Sequence, residues 1–272
     1  MQIASPLPRR NTVWATSADG VSIAYEVIGT GRPLMLLHGF TESRASWLEA
    51  DYVERFAARG RQLVLVDCRG HGESGKPHQP PAYSARKCAA DVAAVLDDAG
   101  IGWTDVMGYS MGGAIALAAA LHIPERIGAL VVNGAHPFAQ DLSELRVAIE
   151  TSFDPWLEWI QRMAPGSLSL ETRRRILAND ISALQACVAC DRPDRSSALA
   201  RLRAPHSQSR AHSIRAAPLS ADLWTWSGGN SCRSKTETIL RRSSASKTSC
   251  PRGSIPCAPL MRDRIGVESA CY

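Results

Sequence analysis

The sequence predicts an α/β chain, a mostly parallel sheet flanked by helices. Three observations carry this. Short apolar runs alternate with helix-length amphipathic segments from about residue 12 to residue 135, an order that produces parallel strands with helical crossovers. Two of these runs, residues 34–37 (Leu-Met-Leu-Leu) and 63–66 (Leu-Val-Leu-Val), are apolar at every position, as strands covered on both faces are. A third, residues 103–107, runs into Gly108-Tyr109-Ser110-Met111-Gly112 immediately before a long helix of small residues.

Taken in order, residues 12–16 and 21–28 read as extended segments, with Asp19-Gly20 as the turn between them. Residues 34–37 form a buried strand that ends at His38-Gly39-Phe40. Trp47, Tyr52, Val53 and Phe56 have the spacing of one helix, which Gly60 stops. Residues 63–66 lead into Asp67-Cys68-Arg69-Gly70-His71-Gly72-Glu73-Ser74. Residues 85–98 place Cys88, Val92, Val95 and Leu96 on one helical face and stop at Gly100. The strand of residues 103–107, a helix to about His122 and a strand at 127–132 complete this part.

Gly108-Tyr109-Ser110-Met111-Gly112 has the Gly-x-Ser-x-Gly spacing of a nucleophile elbow. A serine on a tight strand-to-helix turn needs glycine on both sides, because a Cβ there would clash. Its hydroxyl then stands above the sheet at a helix N-terminus, where free N–H groups favour negative charge. A glycine-containing helix start could give the same letters by chance. The strand before it and the helix after it favour the elbow.

Composition narrows the class. With 272 residues, 45% hydrophobic and 21% charged, the chain reads as a soluble globular protein with room for a core and a cap. No apolar run approaches the roughly 20 residues of a membrane span. Arg9-Arg10 is followed by no apolar signal core, so the expected compartment is the cytoplasm. The eight cysteines show no secreted disulfide framework. The net charge of +5 divides unevenly: residues 201–272 carry +8 and residues 1–200 carry −3.

His38-Gly39-Phe40, the stretch from Asp67 to Ser74, and the elbow stand in the order and at the intervals of one known family. Residues 12–135 resemble the N-terminal half of an α/β-hydrolase. The resemblance implies a serine hydrolase acting on an ester, lactone or related acyl bond, with Ser110 as nucleophile. The backbone N–H groups of Phe40 and Met111 would bind the oxyanion, each donor typically contributing about 3–4 kcal/mol. His38, Gly39, Gly108 and Gly112 would support these motifs. His38 and His71 are expected to be structural rather than basic, and Asp67 to tie down its own loop. No cofactor and no metal are implied. Cys187-x-x-Cys190 reads as two small, partly buried cysteines in a helix at 181–190, because no second pair or histidine cluster completes a zinc spacing. Ser110 in place of an aspartate argues against epoxide hydrolase and haloalkane dehalogenase chemistry. Enol-lactonase, carboxylesterase, C–C bond hydrolase and cofactor-free haloperoxidase relatives stay open. The expected partner is a small-molecule acyl substrate, with no membrane and no nucleic acid.

Residues 136–200 read as a helical cap. Asp154-Pro155 suits a helix start, and Trp156, Trp159, Ile160 and Met163 make one apolar stripe that either roofs the serine or packs a core. Further short helices are expected at 168–179 and 181–190. His136 follows the sixth strand, but a base there would depart from the family's order.

Residues 201–272 are an atypical basic Ser/Arg/Cys-rich tail with no helical or strand period. The family order is serine, acid, then histidine. The only candidates here are Asp222, Asp263, His206 and His212, and neither histidine follows either aspartate. The triad acid and histidine therefore go unassigned, and the last strands are expected to be missing. Two explanations compete: a disordered basic extension, or a reading frame shifted near Pro205, which is the favoured one. The rival to a hydrolase, impaired or not, is a non-catalytic remnant or a binding module with a basic tail.

Overall fold

The computed structural model describes residues 11–163, 166 and 168–202. Six strands form one sheet: β1 (Val13–Thr16), β2 (Ser22–Ile28), β3 (Arg32–Leu37), β4 (Arg61–Val66), β5 (Thr104–Tyr109) and β6 (Ile127–Asn133). Their order is β1-β2-β4-β3-β5-β6. The four neighbours β4, β3, β5 and β6 are parallel, whereas β2 runs antiparallel to both β1 and β4. The hairpin is local in origin. Gly20 takes φ +82°, and the Ser17 N–H donates to the Val21 carbonyl at 2.9 Å, so β1 and β2 need no crossover helix.

The fully apolar strands β3 and β4 are covered on both faces, and their side chains sort with period two. Met35, Leu37, Val64, Val66 and Val106 face one cluster, with Val92, Val95 and Leu96 of α3 (Ala85–Asp98) and Ala116, Ala119 and Ala120 of α4 (Met111–His122). Leu34, Leu36, Leu63, Leu65 and Met107 face the other, against Trp47 and Val53.

Trp47 and Val53 belong to two helices where the spacing predicts one: α1 (Ala45–Glu49) and α2 (Tyr52–Ala57). Asp51 between them takes φ 58°, a left-handed turn that breaks the helix. The break re-aims the chain so that both buried side chains still reach the sheet, with the Trp47 and Tyr52 rings edge-on at 5.3 Å.

Among the described residues five helices follow β6: α5 (Ser143–Ala148), α6 (Asp154–Met163), α7 (Leu170–Leu177), α8 (Ile181–Val188) and α9 (Ser196–Leu202). Real caps delimit α7 and α8, which are shorter than their apolar patterns. Ser169 Oγ accepts the Thr172 N–H and Asp180 Oδ1 accepts the Ala183 N–H, each at 3.0 Å. Helix α6 begins at Asp154 itself, and its stripe is only partly covered: Trp156 and Leu157 are buried, whereas Met163 is 51% exposed. Gln140 and Arg192 exchange two backbone hydrogen bonds of 2.9 Å, closing the base of this helical segment, and α9 then packs on α4.

Among the described residues β1 and β6 are the outer strands, and no helix is long and apolar enough to cross a membrane. The expectations for missing last strands and a shifted frame, and that of a basic tail over residues 201–272, fall outside the described residues except at Arg201 and Leu202, which end α9.

Candidate active site

The site is built at the carboxyl ends of β3 and β5, where open α/β sheets place ligands. These strands are parallel neighbours in a register that sets Leu37 beside Gly108. His38-Gly39-Phe40 and Tyr109-Ser110 therefore leave the sheet side by side. A Cβ added to Gly39 would stand 3.0 Å from the Tyr109 ring and 3.8 Å from Ser110 Cβ, so a side chain there would press on the Tyr109 ring where the two turns meet.

Ser110 sits between the end of β5 and the first residue of α4, with φ 50° and ψ −111°. A non-glycine residue in such a region costs about 1–3 kcal/mol and persists only where its surroundings fix it. Here the Ser110 N–H donates to the Asn133 carbonyl of β6 at 2.7 Å, and the Ser110 carbonyl accepts the Ala114 N–H at 3.1 Å. Gly108 and Gly112 make the turn possible. A Cβ on Gly108 would lie 2.2 Å from the Gly112 carbonyl oxygen, and one on Gly112 would lie 2.1 Å from that of Leu37. Among the described residues neither the Phe40 N–H nor the Met111 N–H donates to an acceptor.

His38 and His71 are buried and both of their Nδ1 atoms face carbonyls. The Cys68 N–H donates to His38 Nε2 at 3.0 Å, which leaves the proton on Nδ1, donated to the Gly39 carbonyl at 2.8 Å. Burial holds His38 down to about 4. Burial, then the neighbouring His38, holds His71 down to about 3. His71 Nδ1 faces the Arg69 carbonyl at 3.1 Å, and its ring stands 5.3 Å from that of His38. Asp67 accepts the Arg44 N–H at 2.7 Å, the Glu73 N–H at 2.8 Å and the Arg44 guanidinium. Gly72 crosses so close that a Cβ there would overlap the Asp67 carboxylate. The carboxylate thus joins its own loop to residues 41–44.

His136 is exposed, its ring against Phe138 at 5.8 Å, and among the described residues no histidine hydrogen-bonds to Ser110. His206, His212, Asp222 and Asp263 lie outside the described residues. Burial pushes the Cys187 thiol up to about 11, and its Sγ stands 3.8 Å from Met111 Sδ. Cys190, expected to be partly buried in the same helix, is exposed just beyond α8. No group of three or more His, Cys, Asp or Glu side chains among the described residues is placed to hold a metal ion.

Sequence reasoning passed over Thr41 and its partners. Thr41 has φ 61° and is buried. Its hydroxyl accepts the Trp156 indole N–H at 2.9 Å, and its carbonyl accepts Asn179 Nδ2–H at 2.9 Å. The aromatic stripe of α6 signalled that Trp156 has a buried partner, but nothing in the spacing identifies a residue 115 positions away. Glu42 was also missed. Burial raises its carboxyl, and Tyr109 beside Ser110 is raised by burial and by the Glu42 charge. A hydroxyl on a strained turn at a helix start can attack an electrophilic carbon, with the helix's free N–H groups favouring the displaced charge.

The alpha/beta hydrolase fold family matches this chain over residues 32–258. A Bacillus subtilis protein named as a 2-succinyl-6-hydroxy-2,4-cyclohexadiene-1-carboxylate synthase is 35% identical over 140 residues, 51% of this chain and 50% of that one. A 2-hydroxy-6-oxononadienedioate/2-hydroxy-6-oxononatrienedioate hydrolase of Burkholderia vietnamiensis is 40% identical over 120 residues, 43% of this chain and 41% of that one. The chain thus spans about half or less of the length of these two curated relatives. Among solved structures, a bottromycin epimerase bound to bottromycin A2 is 25% identical with a TM-score of 0.57, covering 66% of this chain and 72% of that one. A synthase, a hydrolase and an epimerase on one scaffold show that the fold does not fix the reaction. What the sheet order, the elbow and the match over residues 32–258 do fix is membership: this chain belongs to the alpha/beta hydrolase fold family.

Proposed function

We propose that the chain is a serine hydrolase that cleaves an ester, lactone or related acyl bond of a small molecule through an acyl-Ser110 intermediate. The observation that carries this reading is the backbone of Ser110, held at φ 50° and ψ −111° at the start of α4 with the Gly39 turn against it. Strain of this kind has no packing benefit and serves to present a hydroxyl. The Ser110 Oγ adds to the acyl carbon and gives up its proton, the Phe40 and Met111 N–H groups receive the carbonyl oxygen's charge, and the acyl carbon–oxygen bond breaks as the leaving alkoxide takes up that proton to become the alcohol. Water then releases the acid and restores the hydroxyl.

The same proposal holds that the chain as written is impaired. Its sequence after Pro205 lacks an aspartate followed by a histidine, and a serine hydroxyl without a base stays protonated at neutral pH. With part of a triad absent, oxyanion donors and binding alone leave roughly 10³–10⁴-fold over water. Turnover of p-nitrophenyl acetate by the full chain, by Ser110→Ala, and by a chain carrying the alternative frame after Pro205 tests both parts. Expected is a trace rate that Ser110→Ala removes and the alternative frame raises by several orders of magnitude. A rate of order 10 s⁻¹ in the chain as written would show that a base is already present. An unchanged rate in Ser110→Ala would favour the non-catalytic reading.

A further inference from the structure

We propose that Trp156 of α6 and Asn179 at the end of α7 are positioning residues that hold the turn at Phe40–Thr41 and thereby aim the Phe40 N–H over Ser110. The proposal rests on the reading of Phe40 as an oxyanion donor and extends it to residues that touch no reacting atom.

The argument starts from Thr41. A β-branched residue at φ 61° is an outlier that its own sequence does not favour. Three hydrogen bonds keep it there. Its Oγ1–H donates to the Phe40 carbonyl at 2.7 Å, so that oxygen has its second role free and accepts the Trp156 Nε1–H at 2.9 Å. Its carbonyl accepts Asn179 Nδ2–H at 2.9 Å. The Asn179 amide is itself oriented by the Arg175 and Ile176 carbonyls at 3.0 and 3.1 Å. The Trp156 ring also stands edge-on to Phe40 at 5.6 Å.

Peptide planarity converts these bonds into a direction for one N–H. The Phe40 N–H lies in the same plane as the Gly39 carbonyl and points opposite to it. The Gly39 carbonyl accepts from His38 Nδ1–H at 2.8 Å and from the Glu42 N–H at 3.3 Å. The next carbonyl, that of Phe40, is held by Thr41 and through it by Trp156. Both peptide planes around Phe40 are therefore fixed, the first from the sheet side and the second from α6 and α7. Removing the second hold frees Thr41 to leave its left-handed conformation, which breaks the Glu42 N–H bond to the Gly39 carbonyl across this turn and so releases the plane that carries the Phe40 N–H. Because donor placement matters on the scale of about 1 Å, where losses reach 10²-fold, seating of these two helices becomes a condition for a competent donor.

The test compares Trp156→Phe, which keeps the ring but deletes the N–H, with Thr41→Val, which keeps the shape but deletes the relay, and Thr41→Ser, which restores the hydroxyl. The full chain is used with p-nitrophenyl acetate as substrate, and backbone amide resonances of Phe40 and Met111 are recorded for each variant. Expected in Trp156→Phe and Thr41→Val is a fall in kcat of roughly ten- to a hundredfold with KM within about twofold. The Phe40 resonance should move while that of Met111 stays, and Thr41→Ser should remain near the parent. Unchanged kcat with an unmoved Phe40 resonance in both deletion variants would overturn the proposal, as would a loss confined to KM. Ser110→Ala separates this from the underlying reading. If that variant hydrolyses the ester as fast as the parent, the nucleophile assignment falls, and the Phe40 resonance alone decides whether Trp156 positions the turn.

Discussion

The Ser110 N–H donates to the Asn133 carbonyl at 2.7 Å, so the elbow's own amide is engaged by the neighbouring strand. The first amide beyond it that is free to face a ligand is that of Met111, at the start of α4. This bond explains why a strained serine can be rigid. It is anchored behind by β6 and ahead by its carbonyl on Ala114, and the Ser110 hydroxyl inherits that order.

The elbow tolerates no side chain where α4 meets β3. Gly112→Ala would drive a Cβ to 2.1 Å from the Leu37 oxygen and 2.7 Å from that of His38, both backbone atoms that cannot swing away. We expect a loss of about 3 kcal/mol or more in unfolding free energy, at or beyond the upper end of overpacking costs. Gly102→Ala, where nothing lies within 4 Å, should stay within about 0.5 kcal/mol. Equal denaturation midpoints for the two variants would contradict the close approach.

Acid should destabilise the fold through two buried histidines. His38 and His71 are held down to about 4 and about 3 from an ordinary 6.5, so both stay neutral when folded and bind protons on unfolding. Their contribution is complete above pH 6.5 and declines as pH falls, His38's being lost by about pH 4 and His71's by about pH 3. At pH 5 the loss is about 2 kcal/mol per histidine. Urea midpoints at pH 7 and pH 5 check this, and His71→Phe should show a shallower fall than the parent. A midpoint that is constant from pH 7 to pH 5 would exclude two buried neutral imidazoles.

Arg69 is the largest fully buried side chain among the described residues, and it holds two elements of the first half together. It pairs with Asp91 of α3 through bonds of 2.6 and 2.5 Å and with Asp19 of the β1–β2 turn at 3.0 Å. Arg69→Met strands the Asp91 carboxylate, whose burial already raises it. A loss of about 3–5 kcal/mol is expected, with part recovered in Arg69→Met/Asp91→Leu. Removing the exposed Glu158–Arg162 pair, 3.9 Å apart on α6, should cost less than about 0.5 kcal/mol. A thermal melt of each variant distinguishes the two cases.

What the sequence made legible was local or periodic. The apolar runs of β3 and β4, the glycines at 108 and 112, and the hairpin at Asp19-Gly20 each announce their conformation through neighbouring residues. The left-handed break at Asp51 was hidden because Trp47, Tyr52, Val53 and Phe56 fit one helical spacing, and only the sheet surface demands two helices. The stripe on α6 was legible as apolar but not as uneven. Trp156 is buried against Phe40 while Trp159 stacks on its outer face at 4.9 Å and stays 36% exposed. Thr41 was invisible because its conformation is imposed by Trp156 and Asn179, both more than a hundred residues later.

The central claim, that Ser110 is the nucleophile, is tested most directly by incubating the full chain with a fluorophosphonate and locating the adduct by peptide mass spectrometry. Fluoride leaves phosphorus as the serine oxygen bonds to it, so the label marks the nucleophilic hydroxyl alone. The account predicts slow, single labelling on the peptide that contains Ser110, none in Ser110→Ala, and faster labelling in the chain with the alternative frame after Pro205. An adduct on another residue, or an unlabelled Ser110 in both frames after prolonged incubation, would contradict it.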